Sequence, residues 1–290
     1  MIEWPTDLVS DIARRRCVLF LGSGVSKSSV NAKGERPKDW KEYLNTLSQK
    51  PADSKHRDAV KQCINDSDLL TACELAKKFL HADVFNGELL AEYSDKAFLP
   101  STVHDDIIRL DSRFVLTTNF DKLYENRANH VQQSTVRVTC YYDAHAVDVL
   151  RRPQRCVLKV HGTIDSPSMT IFTRSDYARA RANYGSFYGL VEALFLTHTF
   201  VFLGASMRDP DIQLLLEDQA YRFEGARPHF LVTAKDAARQ AMQDVLAENM
   251  NLRPLFYDPA DNHAELAASL KILADLVDDA RETLTKTMDW

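Results

Sequence analysis

The chain has 290 residues, a formal net charge of −5, 45% hydrophobic residues and 27% charged residues. These values are ordinary for a globular protein, and the acidic balance excludes a general nucleic-acid-binding surface. No apolar run reaches the roughly 20 residues of a membrane-spanning helix. The N-terminal residues lack the basic start and the apolar core of a signal peptide.

The cysteine pattern indicates a reducing compartment. The five cysteines are Cys17, Cys63, Cys73, Cys140 and Cys156. Their number is odd and no two form a C-x-x-C pair, which argues against a disulfide framework and against a structural zinc ribbon. We therefore expect a cytoplasmic protein that holds no metal.

The first strong signal is a strand that runs into a glycine-rich turn. A short helix is predicted over residues 6–15, and the apolar run from Cys17 to Leu21 predicts a fully buried parallel strand. The next residues are Gly22-Ser23-Gly24-Val25-Ser26. Glycine lets a ligand approach the backbone, and a helix starting near Val25 or Ser26 would direct free N–H groups at a phosphate. The third glycine of the dehydrogenase fingerprint is missing, so a plain turn remains an alternative.

Residues 39–98 contain no convincing strand, and their apolar residues recur at helical spacing. We predict a helical insert there, within a single domain that spans residues 1–290. Helices and strands alternate again after Pro100. The predicted strands cover residues 114–116, 136–141, 157–160, 200–203, 229–232 and 252–257. The predicted helices cover residues 104–110, 122–131, 175–181, 186–197, 212–223, 237–248 and 264–284. This alternation predicts an α/β fold: a Rossmann-like, doubly wound parallel sheet.

Four predicted strands end in polar or glycine-rich turns. The turns are Gly22-Ser23-Gly24, Thr117-Thr118-Asn119-Phe120-Asp121, His161-Gly162 and Gly204-Ala205-Ser206. Parallel strands bring their carboxyl ends to one rim, where open sheets bind ligands. Each turn also has a plain structural interpretation: Asn119 or Asp121 could cap a helix, His161 could be a loop histidine, and Asp209-Pro210 could start the next helix.

Together these turns resemble the motifs of sirtuins, and they occur in the family order. The run Gly22 to Ser26 resembles the Gly-Ala-Gly-x-Ser motif, and Thr118 to Asp121 resembles Gln-Asn-Ile-Asp. Lys159-Val160-His161-Gly162 resembles Leu-His-Gly, and the run 202–206 resembles the later Gly-Thr-Ser. The sequence Thr-Thr-Asn-Phe-Asp at residues 117–121 most resembles the corresponding motif in the sirtuin-like domains of bacterial anti-phage defence systems.

The chain also departs from deacylase sirtuins. No cysteine follows Cys156, so the four zinc-binding cysteines are missing, and so is the Gly-Ile-Pro-Asp-Phe-Arg segment. Thr118 stands where the family has glutamine. We therefore expect no zinc module and no acyl-lysine peptide cleft.

The resemblance implies an NAD+ glycohydrolase that releases nicotinamide and ADP-ribose. In that interpretation the turn from Gly22 to Val25 holds the pyrophosphate, and Asn119 orients the ribose and the attacking water. Asp121 accepts from the nicotinamide amide, His161 is the base, and the region of Gly204 and Ser206 binds the adenosine side.

Two other functions are alternatives to NAD+ hydrolysis. One is an NAD-dependent deacylase or ADP-ribosyltransferase, and the other is a non-catalytic module that binds NAD or ADP-ribose. An ordinary Rossmann dehydrogenase is a further alternative, which the absent third glycine disfavours. The resemblance further implies a homo-oligomeric ring with low basal activity, controlled by a partner such as a HerA-type hexameric ATPase.

Overall fold

Seven strands and the helices between them alternate in the computed structural model, which describes residues 1–132, 136–236 and 240–288. The strands are β1 Cys17–Leu21, β2 Phe114–Thr117, β3 Arg137–Cys140, β4 Cys156–Lys159, β5 Thr199–Leu203, β6 His229–Ala234 and β7 Leu252–Tyr257. The helices are α1 Thr6–Ala13, α2 Ser23–Ser26, α3 Trp40–Leu47, α4 Ser54–Asn65, α5 Leu69–Phe79, α6 Ala82–Tyr93, α7 Thr102–Arg109, α8 Leu123–Gln132, α9 Arg174–Asn183, α10 Gly185–Thr197, α11 Pro210–Arg222, α12 Gln240–Asn249 and α13 Ala260–Thr287.

The strands form one sheet in the order β3-β4-β2-β1-β5-β6-β7, and every neighbouring pair is parallel. From β1 the chain forms β2, the edge strand β3 and then β4 between them on one side, and it crosses to β5 on the other side. The strand order therefore reverses between β1 and β5, and a crevice opens there at the carboxyl ends of the strands. The predicted Rossmann-like α/β fold is confirmed.

Both faces of the sheet are buried because alternate residues of each strand point to opposite sides. On β1, Leu19 and Leu21 lie in a core with residues of α1, α7 and α13. Val18 and Phe20 lie in a second core with residues of α9 and α10. The continuous apolar composition of the central strands follows from this double cover.

The four helices α3 to α6 form a third apolar cluster between the glycine-rich turn and α7. Tyr43 and Phe85 of this cluster contact Phe172, which follows β4, with ring centroids 5.7 and 5.4 Å away. The ammonium of Lys77 on α5 also pairs with Asp176 on α9 at 2.8 Å. The segment is thus packed against the region after β4, beside the crevice.

One helix start differs from the sequence prediction, and a second agrees with it once the non-helical residues at its beginning are set aside. The helix after the glycine turn begins at Ser23 and is a single turn, rather than starting near Val25 or Ser26. The last helix is assigned from Ala260, but Asp261, Asn262 and His263 have left-handed φ angles of 49°, 56° and 65°. Its regular part therefore begins at residue 264, as predicted. The first three residues of the predicted helix 237–248 lie outside the described residues.

None of the helices in the described ranges combines the length and the apolar character that a membrane span needs.

Candidate functional site

The four predicted turns start level with one another at one rim of the sheet. In the strand pairing, Leu21 is opposite Thr117 and Leu203, and Thr117 is opposite Lys159. The turns that follow these four residues border one cleft. The predicted site residues that line it are Gly22, Ser23, Ser26, Thr118, Asn119, Asp121, His161 and Ser206. Adjacent, in-register strands thus bring together residues that are far apart in sequence.

The glycines of the first turn allow the loops after β1 and β5 to pack backbone against backbone. A Cβ atom on Gly22 would lie 2.4 Å from the carbonyl oxygen of Gly204. Gly204 itself has a φ angle of +62°, and a Cβ there would lie 2.5 Å from the amide nitrogen of Val25. A side chain at either position is therefore excluded by contact, and at Gly204 also by the left-handed conformation.

The N–H groups of the two glycines and of Val25 in this turn are bonded inside the protein. The N–H groups of Gly22 and Gly24 donate to the carbonyls of Leu203 and Gly204, both at 2.9 Å, and the Val25 N–H donates to Gly22 at 3.1 Å. This differs from the expectation that these N–H groups face a ligand. The reason is the close approach of the two loops, and Gly24, Val25 and Gly204 accordingly lie behind the residues that line the cleft.

The side chain of Asn119 is held by hydrogen bonds to the turn that follows the carboxyl end of β1. Its Nδ2 donates to the carbonyl of Gly22 and to the hydroxyl of Ser26, each at 3.0 Å. The Asn119 N–H donates to Thr117 Oγ1 at 3.0 Å. The side chain therefore does not cap α8, and its Oδ1 is without a hydrogen-bond partner in the described part of the chain.

Asp121 combines the two roles considered from the sequence. Its Oδ1 accepts from the Leu123 N–H at 3.0 Å, which caps α8, and its Oδ2 accepts from the Ser26 hydroxyl at 2.6 Å. The residue lines the cleft but is only 6% exposed. Ser26 thereby joins Asn119 and Asp121 to the glycine turn.

A buried lysine supports the loop that carries Asn119 and Asp121. Lys159, the last residue of β4, donates to the carbonyls of both residues. Its ammonium lies 2.8 Å from Oε1 of Glu125, and both side chains are at most 3% exposed. Nothing in the sequence spacing of the two residues marks them as partners, so this pair cannot be predicted from the sequence.

His161 lies beside a carboxylate that the sequence analysis considered only as a helix start. Its Nε2 is 3.0 Å from Oδ2 of Asp209, a distance of an ion pair without the angle of a hydrogen bond. Tyr177 packs edge-on against the imidazole and donates its hydroxyl to the same Oδ2 at 2.7 Å. Burial raises the pKa of Asp209, but His161, the Ile212 N–H and Tyr177 outweigh burial, so the net pKa lies below its usual value.

The segment between α2 and α7 also contributes to the cleft. Lys38, Trp40 and Tyr93 line it together with Phe172. The Lys38 ammonium is committed to Glu92 at 3.1 Å and to Thr46 at 2.8 Å. Arg208 also lines the cleft, is exposed, and makes no ion pair or hydrogen bond within the described ranges.

The described residues contain no group of three or more His, Cys, Asp or Glu side chains that could hold a metal ion. The polar residues of the cleft instead pair with one another, as at His161 and Asp209. One histidine, His161, and one asparagine, Asn119, line the cleft.

The chain is similar in sequence to proteins named as NAD(+) hydrolases and to a defense-associated sirtuin. The chain is 26% identical over 280 residues to the NAD(+) hydrolase ThsA of Enterococcus faecium, covering 91% of this chain and 51% of the relative. It is 21% identical over 234 residues to the NAD(+) hydrolase ThsA of Bacillus cereus, covering 80% and 46%. It is 23% identical over 220 residues to defense-associated sirtuin 2 of Bacillus subtilis, covering 74% and 20%.

The chain spans about half the length of the ThsA relatives it matches. Residues 113–255 match the family model of the SIR2-like domain. This range runs from the residue before β2 into β7 and includes Asn119, Asp121, His161 and Ser206. Residues 113–255 are thus similar to a SIR2-like domain, and the relatives are by name NAD(+) hydrolases and a defense-associated sirtuin.

Proposed function

We propose that this chain is an NAD+ glycohydrolase that cleaves NAD+ to nicotinamide and ADP-ribose, and that it is an effector of a bacterial anti-phage defence system. The observation that carries the proposal is the meeting of Asn119 and His161 in the cleft at the β1–β5 crevice. The names of the ThsA and defence-sirtuin relatives support it. Binding alone requires neither an anchored asparagine nor a buried histidine paired with a carboxylate.

The reaction breaks the bond between nicotinamide and ribose through a cation-like sugar. Asn119 is anchored through its Nδ2, which leaves Oδ1 to accept from a ribose hydroxyl or from the attacking water. His161 is positioned to remove a proton from that hydroxyl or water. The rings of Trp40, Phe172 and Tyr177 line the same cleft and limit the access of bulk water.

The pyrophosphate requires donors other than the amides of Gly22, Gly24 and Val25, which are used internally. Arg208 lines the cleft with a guanidinium that is uncommitted within the described residues. Its planar set of donors matches a phosphate. We assign the pyrophosphate to Arg208, assisted by the cleft-lining hydroxyls of Ser23 and Ser206. Glycine then serves to bring β1 and β5 together rather than to present N–H groups.

The direct test is to incubate the purified chain with NAD+ and to separate nicotinamide and ADP-ribose by chromatography. Removal of a general base costs about 10²- to 10⁴-fold in rate, so His161→Ala and Asn119→Ala should each fold and lose most turnover. His130→Ala changes an exposed histidine of α8 outside the cleft and is the matched control. Full activity in either cleft variant would refute the role of that residue.

The assembly of the chain is part of the proposal. We propose a homo-oligomeric ring whose low basal turnover rises when a HerA-type ATPase binds. The helices α3 to α6 pack on one another and on Phe172, which favours a lid role for them over a subunit contact. Exposed Leu214 and Tyr221 on α11 are candidate contact residues. Light scattering should give a mass well above 33.0 kDa, and a monomer would contradict the ring.

A further inference from the structure

His161 is held in a closed environment that leaves one ring nitrogen free. The residue is 6% exposed, and Tyr177 packs edge-on against its ring with the centroids 5.2 Å apart. Nε2 faces Oδ2 of Asp209 at 3.0 Å. Nδ1 has no hydrogen-bond partner within the described residues. The two nitrogens of the ring thus have different environments.

The two carboxylate oxygens of Asp209 have different partners. Oδ1 accepts from the N–H groups of Asp211 and Ile212, at 3.1 and 3.0 Å, and so caps α11. Oδ2 accepts from the Tyr177 hydroxyl at 2.7 Å and faces His161. The cap fixes the carboxylate on a helix of 13 residues, whose positive N-terminal end favours the anion. Asp209 is therefore a fixed anion aimed at one side of the imidazole.

We propose that Asp209 is a positioning residue: its anion, 3.0 Å from Nε2 although outside the angle of a hydrogen bond, attracts the ring proton electrostatically, favours the Nε2–H tautomer of His161 and leaves Nδ1 as the basic nitrogen for the substrate. This inference rests on the proposed hydrolysis of NAD+. A carboxylate that orients a histidine and stabilises its protonated form is a general device of catalysis by histidine. The sequence shows Asp209-Pro210 only as a helix start, because its second role depends on the position of His161 in the fold.

The proton balance of the step is simple. Nδ1 takes the proton of a ribose hydroxyl or of the attacking water as the bond between ribose and nicotinamide breaks. Nicotinamide leaves with the electron pair of that bond, and the oxygen of water forms the new bond to the sugar. The imidazolium, with N–H on both nitrogens, lies against the Asp209 anion until its proton returns to solvent. The sum is NAD+ plus water giving nicotinamide, ADP-ribose and one proton.

The test is Asp209→Asn, which separates the two roles of the residue. Asparagine caps helices as well as aspartate does, so its oxygen keeps the bonds to Asp211 and Ile212. Its NH₂ group then faces His161 and donates to Nε2, which transfers the ring proton to Nδ1. The variant should fold, and ¹⁵N NMR of the imidazole at neutral pH should show the Nδ1–H tautomer in place of Nε2–H. The His161 signal is identified by its loss in His161→Gln.

Kinetics give the second readout. We expect kcat of Asp209→Asn to fall by about 10²-fold or more, with KM changed less than about threefold, because the wrong tautomer cannot accept the proton. Tyr177→Phe keeps the carboxylate and should keep the tautomer. Asp211→Asn is the matched control, since it removes a buried carboxylate at the same helix start that pairs with Arg181 and Tyr188 instead. The control should keep both the tautomer and kcat.

The outcomes separate this inference from the proposed function. If the wild-type chain releases no nicotinamide, the hydrolase proposal fails, and the tautomer measurement still decides the role of Asp209. An Asp209→Asn variant that keeps the Nε2–H tautomer overturns the inference, whatever its rate. A variant with the changed tautomer but wild-type kcat also overturns it, because the tautomer would then not matter for turnover.

Discussion

The buried pair of Lys159 and Glu125 offers a quantitative test of how the cleft is built. Lys159→Met removes the ammonium that lies 2.8 Å from Oε1 of Glu125 and that donates to the carbonyls of Asn119 and Asp121. Glu125 is 3% exposed, so its charge would lose its partner in a dry environment. Breaking such a pair from one side costs about 3–5 kcal/mol of unfolding free energy. At about 2–4 °C per kcal/mol, the melting temperature should fall by roughly 6–20 °C.

A double variant separates the charge effect from the loop effect. Lys159→Met combined with Glu125→Leu removes both charges and replaces them with apolar groups of similar size. Such replacements are often neutral or stabilising, so most of the lost stability should return. The carbonyls of Asn119 and Asp121 still lack their donor in this variant. We therefore expect NAD+ cleavage to stay well below that of the wild-type chain although the fold is restored.

Urea denaturation followed by circular dichroism measures the free energy of unfolding of each variant, and the release of nicotinamide measures its rate of NAD+ cleavage. The reasoning is refuted if Lys159→Met lies within about 1 kcal/mol of the wild-type chain, because Glu125 would then not be a buried anion that needs its partner. It is also refuted if the double variant cleaves NAD+ at the wild-type rate, because the lysine would then not position the loop.

Three further predictions concern the cleft and its surroundings. Gly204→Ala should unfold or strongly destabilise the chain, because its Cβ would lie 2.5 Å from the Val25 nitrogen at a φ of +62°. Gly189→Ala on helix α10 should raise the free energy of unfolding by about 0.5–1 kcal/mol, because a Cβ there meets nothing within 4 Å. Thermal melts of both variants test this contrast. Arg208→Ala should raise KM for NAD+ at least about tenfold with little change in kcat, and an unchanged KM in steady-state kinetics would remove Arg208 from the pyrophosphate site. EDTA should leave the rate of NAD+ cleavage unchanged, and elemental analysis that found stoichiometric zinc would revive the deacylase alternative.

The sequence by itself determined the architecture and the rim of the site. Continuous apolar runs such as Cys17–Leu21 require cover on both faces, and their alternation with helices leaves a parallel sheet as the solution. Since a parallel sheet aligns the carboxyl ends of its strands, the polar turns after four runs predicted a shared cleft. Asn119 and His161 could be predicted as site residues because each lies two residues after the end of a strand and in a segment that resembles a family motif.

The tertiary structure decided which groups meet inside that rim. Asp209 follows β5 and His161 follows β4, two strands that β1 and β2 separate in the sheet, so only the folded loops bring Oδ2 to within 3.0 Å of Nε2. The pair of Lys159 and Glu125 likewise depends on how α8 packs beside β4. The use of the glycine-turn amides also depends on folding, because β5 becomes the neighbour of β1 only in the sheet. Local pattern specifies elements and their ends, whereas contacts between side chains distant in sequence depend on packing that periodicity does not encode.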